Sequence, residues 1–163
     1  MLKNQNYKIP CFILARKNSK GLKNKNIFPL DKKPLILHTI EYAKKCKFVS
    51  DIVISTDDKR IKKISEKNGC KVLFPRPKKL SNDNASNVVA LKHLINFYET
   101  NISKLDYFAF MQITEPLRPK NILKNCFEAI KQKNLNSAFA GFVYKKNFWI
   151  ETKGQIYKPI SPI

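Results

Sequence analysis

Cys11-Phe12-Ile13-Leu14-Ala15-Arg16-Lys17-Asn18-Ser19-Lys20-Gly21-Leu22-Lys23-Asn24-Lys25-Asn26 joins a short apolar run to a basic, glycine-containing loop. The apolar part reads as a buried first strand. The part that follows holds five cations, Arg16, Lys17, Lys20, Lys23 and Lys25, and no acid. Its glycine and small polar residues are able to turn backbone N–H groups toward an anion, so the loop reads as a polyphosphate site. The plainer alternative is a lysine-rich solvated turn, with Lys17 and Lys23 as surface residues.

Working outward, apolar runs of four to six residues alternate with helical patterns, the signature of βαβ units and a mostly parallel sheet. The expected strands are 11–15, 51–55, 71–74, 107–112 and 137–143. Pro34 opens a helix carrying Leu35, Ile36, Ile40 and Ala43. Asp57 or Asp58 caps the next, which has Ile61 and Ile64 inward and ends at Gly69; Asp57 is equally open to a contact in the active site. Ser86 caps a longer helix with Val88, Leu91, Leu94, Ile95 and Tyr98 on one face, and a last helix covers about 120–133. The expected fold class is α/β, a three-layer Rossmann-like arrangement. One domain over 1–163 is expected, with an irregular tail from 144 to 163.

The chain has 163 residues and a net charge of +20. Such charge ordinarily points to nucleic acid. Here only four of the 32 basic residues are arginine, the side chain suited to geometric phosphate and base recognition, and lysines spread through every segment. Nucleic acid is therefore not the expected partner. Three of the arginines, Arg16, Arg76 and Arg118, fall in loops after expected strands. The four cysteines are widely spaced without a Cys-x-x-Cys pair, so they read as small buried hydrophobes rather than a metal or disulfide framework. His38 and His93 sit in expected helices and read as structural or exposed. No apolar run reaches membrane-spanning length and residues 1–6 lack a secretory core, so no membrane association is expected and the expected location is the cytoplasm.

In open α/β sheets ligands bind beyond the carboxyl ends of strands. The polar clusters there are Arg16…Ser19-Lys20-Gly21…Lys25-Asn26, Ser55-Thr56-Asp57-Asp58, Arg76-Pro77 with Ser81 to Ser86, and Gln112-Ile113-Thr114-Glu115-Pro116-Leu117-Arg118-Pro119. In this order they resemble the acylneuraminate cytidylyltransferase family, over about residues 8–143.

The resemblance implies a nucleotidyltransferase that uses CTP and magnesium to transfer CMP to an acidic nine-carbon 2-keto sugar, of sialic, legionaminic or pseudaminic acid type, releasing pyrophosphate. It implies phosphate contacts from Arg16, Ser19, Lys20 and Lys25 and a nucleotide contact from Asn26. Arg76, Asp83, Ser86 and Asn87 would reach the cytosine or ribose. Gln112 would approach the sugar substrate or the reacting centre, with Arg16 and Lys25 as the other catalytic groups. Arg118 is left between a structural ion pair and a substrate contact. Asn18 replaces the family's usual glycine, a change the turn survives because asparagine tolerates positive φ. The metal ligands are unknown: Asp106 is the last aspartate, and Glu115, Glu128 and Glu151 after it are unpaired. Family members are longer, so the chain is expected to lack their C-terminal part and the arm of a homodimer. A related sugar nucleotidyltransferase with another nucleotide or acceptor, a paralogue without catalysis, and a basic nucleic-acid-binding module are the alternatives.

Overall fold

A computed structural model describes residues 9–18, 21–82, 84–141, 148–152 and 156–160. Its centre is a parallel sheet of β1 (Ile9–Leu14), β4 (Val49–Ser55) and β5 (Ala109–Met111) in the order β4-β1-β5. Two short strands, β2 (Pro29–Leu30) and β3 (Lys33–Pro34), form a separate antiparallel pair ahead of helix α1 (Leu35–Lys45). Helices α2 (Lys59–Lys67), α3 (Asn87–Asn101) and α4 (Ile122–Lys133) complete the described core.

The alternation of β1 side chains decides which layer each helix joins. Cys11 and Ile13 point into a cluster with Ile36, Ile40 and Ala43 of α1, Ile61 of α2 and Phe127 of α4. Phe12 points the other way, onto Leu94 and Tyr98 of α3, with Val53 of β4 beside it. The result is three layers, as the sequence implies. Phe12 is completely buried and meets Tyr98 edge-on, with ring centroids 5.5 Å apart. The Tyr98 hydroxyl donates to Asp51 Oδ2 at 2.9 Å, tying α3 to the sheet by a polar tip on an apolar body.

Register fixes where the ligand edge lies. Leu14 pairs with Ser55 and Ile13 with both Ile54 and Met111, so the three strands end side by side. The chain moves from β1 to β4 on one side, then crosses over to β5 on the other. That reversal places a crevice beyond β1 and β5.

Asp58 caps α2, its carboxylate accepting the Arg60 N–H at 2.8 Å, and Gly69 ends the helix region at φ 67°. Ser86 Oγ caps α3 by accepting the Val88 N–H at 3.1 Å. Val88 itself is 60% exposed, contrary to its expected inward position. The first turn of α3 stands at the rim of the crevice rather than over the sheet, and Ala90 is its first buried residue.

Three other expectations are corrected. Residues 71–74 are not a strand: Lys71 and Pro75 make isolated parallel bridges to Val53 and Thr56. Pro75 and Pro77 remove donors that a continuous ladder would require. Residues 137–141 carry no strand, and Phe139 is 91% exposed; 142 and 143 lie outside the described residues. The expected irregular tail contains an antiparallel pair, β6 (Phe148–Thr152) with β7 (Ile156–Ile160). Its aromatic and β-branched residues favour strands, a signal masked in the sequence by the neighbouring lysines and prolines.

Candidate nucleotide-binding site

The basic loop leaves β1 at Ala15, whose N–H donates to Ser55 O at 3.0 Å and extends the sheet by one bond. Arg16 then turns toward the crevice, and its Nη1 donates to Asn82 O at 2.7 Å. Further on, Asn24 adopts the left-handed conformation at φ 56° and its carbonyl accepts the N–H groups of Ile27 and Phe28. A short 3₁₀ turn, Lys25–Ile27, follows. Asn24, rather than Asn18, is the left-handed position in this part of the loop. Asn26 is buried and donates from Nδ2 to Arg16 O at 2.8 Å, closing the loop on its own start. Lys17 and Lys23 are exposed.

Arg76 reaches the same place from the segment beside β4. It is 5% exposed, with Nε donating to Ser55 Oγ at 2.9 Å and Nη2 donating to Ser55 O. Among the described residues it forms no ion pair. Burial pushes its guanidinium down to about 10, with the Asp57 carboxylate opposing the fall and the Arg16 charge adding to it. A buried cation held only by neutral acceptors has unused capacity for an anion or a carbonyl oxygen.

These residues line a cleft of about 440 Å³. Arg16, Lys25 and Arg76 are its cations, and among the described residues no carboxylate lines it. Asn26, Asn87 and Gln112 supply amides, while Leu14, Leu80, Ala90 and Phe110 form an apolar wall. The arrangement suits a guest with an anionic end and a flat, partly apolar end.

Of the residues singled out in the sequence, the cleft therefore gathers Arg16, Lys25, Asn26, Arg76, Asn87 and Gln112. Ser86 does not line it; its oxygen accepts the Val88 N–H at the cap of α3. Ser19, Lys20 and Asp83 lie outside the described residues. Sequence reasoning passed over the apolar wall and Thr114, although Thr114 stands two residues beyond Gln112 in the quoted motif.

Gln112 follows β5 with an exposed side chain, and its carbonyl accepts from Arg118 Nη2. Arg118 Nη1 also donates to the buried Thr39 Oγ1 at 3.1 Å, and the guanidinium lies 5.9 Å over the Tyr42 ring. The Tyr42 hydroxyl in turn donates to Pro119 O at 3.0 Å. Among the described residues Arg118 thus forms no ion pair, and it does not line the cleft. It closes the Gln112–Pro119 loop onto α1.

The resemblance implies magnesium, which prefers carboxylates converging with phosphate oxygens. Among the described residues no group of three His, Cys, Asp or Glu side chains is placed to hold a metal ion. These residues do not by themselves fit a magnesium site.

A cation-lined cleft at the switch point of a parallel α/β sheet stands where open α/β proteins bind their ligands. The model of the cytidylyltransferase family matches residues 11–159, and the chain belongs to that family. It is 35% identical over 151 residues to the pseudaminic acid cytidylyltransferase of Campylobacter jejuni subsp. jejuni, a match covering 90% of this chain and 65% of that protein. It is 36% identical over 124 residues to the N-acylneuraminate cytidylyltransferase of Escherichia coli O18:K1:H7, covering 76% of this chain and 28% of that one. The chain thus spans less than two thirds of the length of these relatives. A crystal structure of 4-diphosphocytidyl-2C-methyl-D-erythritol synthase superposes with a TM-score of 0.70 at 14% identity, covering 97% of this chain and 70% of that one, a likeness of fold. Among the described residues no helix is long and apolar enough to cross a membrane.

Proposed function

We propose that the cleft binds CTP and that the chain carries the nucleotide half of a cytidylyltransferase acting on an acidic nine-carbon 2-keto sugar. The observation that carries this reading is the convergence of Arg16, Lys25 and the buried Arg76 on one cleft beyond the strand ends. The relatives' names support the nucleotide and the acceptor class.

In the proposed reaction the sugar's anomeric hydroxyl attacks the α-phosphorus of CTP, its proton leaves, and pyrophosphate departs as the bond to the β-phosphate oxygen breaks. Transfer of this kind depends on positioning and on neutralising charge spread over phosphate oxygens. Arg16, Lys25 and, from the resemblance, Ser19 and Lys20 take the triphosphate. Arg76, Asn87 and Asp83 take the cytosine and ribose against the apolar wall. Gln112, at the carboxyl end of β5, faces the acceptor. Magnesium would supply further neutralisation of the phosphates, and no step here is assigned to it. A cytoplasmic enzyme, a homodimer when full length, completes the proposal.

Calorimetric titration of CTP, with UTP, GTP and ATP as controls, into the parent and Arg16→Ala proteins tests the reading. Saturable, CTP-selective binding lost in the variant is the expected result. Equal binding of all four nucleotides would move the assignment to another nucleotidyltransferase. Salt-steep binding of unrelated duplexes, indifferent to Arg16→Ala, would replace it with nucleic-acid binding.

A further inference from the structure

The basic loop is held at both ends by one short turn that does not line the cleft. At its start, the Lys17 N–H donates to Asp57 Oδ1 at 2.7 Å. Near its end, Arg60 Nη2 donates to Asn24 Oδ1 at 2.9 Å. Arg60 is itself fixed, because its Nη2 also donates to Oδ2 of the buried Asp58 at 2.7 Å and its Nε to Oδ1 at 3.2 Å. Asn24 is the loop's left-handed residue and the origin of the turn that carries Lys25 and Asn26. The two contacts span 40 and 36 residues of sequence, so they belong to the tertiary fold and not to the loop's own propensity.

We propose that Asp57 and Arg60, at the head of α2, are positioning residues that brace the loop in the conformation presenting Arg16, Lys25 and Asn26 to the cleft. Neither need touch the nucleotide. Their effect on affinity comes from ordering the loop in advance, so that binding does not bear that entropy. The consequence for CTP rests on the reading of the cleft given above; the brace itself is measurable without nucleotide.

The test uses the 163-residue chain. Amide hydrogen exchange is followed without nucleotide at Ile27 and Phe28, which donate to Asn24 O, and at Lys62, which donates to Asp58 O within α2. CTP affinity is measured by calorimetry. Arg60→Met keeps the α2 cap, since the Asp58 carboxylate accepts the backbone N–H of residue 60. Asn24→Gly keeps the backbone geometry and removes the acceptor. Each should speed exchange at Ile27 and Phe28 and weaken CTP about threefold to tenfold, the scale of one hydrogen bond, with Lys62 unchanged. The double variant should be no worse than the weaker single one. Asp57→Ala should weaken CTP, whereas Asp57→Asn retains an oxygen for the Lys17 N–H, removes a negative charge near the phosphates, and should bind at least as tightly as the parent.

Unchanged exchange at Ile27 and Phe28 overturns the brace, as does equal loosening of Lys62, which would mean that α2 unravels. An Arg60→Met cost that persists in the Asn24→Gly background would make Arg60 a bare charge, and tighter CTP binding by Asp57→Ala would do the same for Asp57. Faster exchange in the variants of a parent that itself binds no CTP would sustain the brace and sink the CTP reading alone.

Discussion

Arg76→Met removes a charge while keeping most of the side chain's length, and its effect follows from the cost of burying that charge. Burial pushes the guanidinium well below an ordinary arginine's, down to about 10. At 1.36 kcal/mol per pKa unit, the unliganded protein bears a cost of about 3 kcal/mol to keep it charged. Two hydrogen bonds to Ser55 offset part of this. Losing them orphans no backbone group, because Ser55 O still accepts from Ala15 N–H. The unliganded variant should therefore unfold within about 1–2 kcal/mol of the parent. A bound nucleotide that meets Arg76 recovers the desolvation cost, so the variant should lose about 3 kcal/mol of CTP affinity, roughly 100-fold. Calorimetry gives the affinity, and thermal unfolding with and without CTP gives both stabilities. The sign with pH is a further check: a cation whose folded pKa lies below its unfolded value makes stability rise as pH climbs above about 10, and the parent-minus-variant difference should show this. A variant destabilised by well over 3 kcal/mol that still bound CTP normally would refute the reasoning, since Arg76 would then be a structural strut.

Asp58→Ala should cost about 1–2 kcal/mol of thermal stability through the lost α2 cap, and Asp58→Asn less. The Arg60 hydrogen bond holds the Asp58 carboxyl below its usual range, so its contribution is present above pH about 4 and fades as pH falls through the folded value; the parent-minus-Asn difference should shrink on acid titration. Burial pushes the Cys11 thiol up to about 12 and Cys70 up to about 11. At pH 8 neither should alkylate in the folded protein, while Cys126, half-buried on α4, labels first; mass spectrometry of labelled peptides reads the order, and early modification of Cys11 would mean that the sheet opens.

What the sequence discloses and what it hides divide along the range of the interactions. The first strand, the capping roles of Asp58 and Ser86, the Gly69 stop and the basic loop are local signals, each set by a few neighbouring residues. The same local reading made 71–74 a strand, because Val72-Leu73-Phe74 is as apolar as β1 and only the prolines beyond it decide against a ladder. It selected Ser86 for the nucleotide beside Asn87, where the Ser86 oxygen accepts the helix-capping N–H and Asn87 is the one of the pair that lines the cleft. Arginines expose the limit best. Arg16, Arg76 and Arg118 all stand after expected strands, yet one lines the cleft at its mouth, one is buried in its wall, and one grips the Gln112 carbonyl from behind. Arg60, which that spacing excludes, is joined to the loop through a contact 36 residues away. A guanidinium has five donors and a long stem, so its partner is set by the tertiary fold rather than by its neighbours in the chain. For this chain the position of the site is therefore a property of the strand ends, which sequence periodicity reports, whereas the assignment of each cation within it depends on carbonyl and carboxylate oxygens brought from distant segments, which periodicity does not carry.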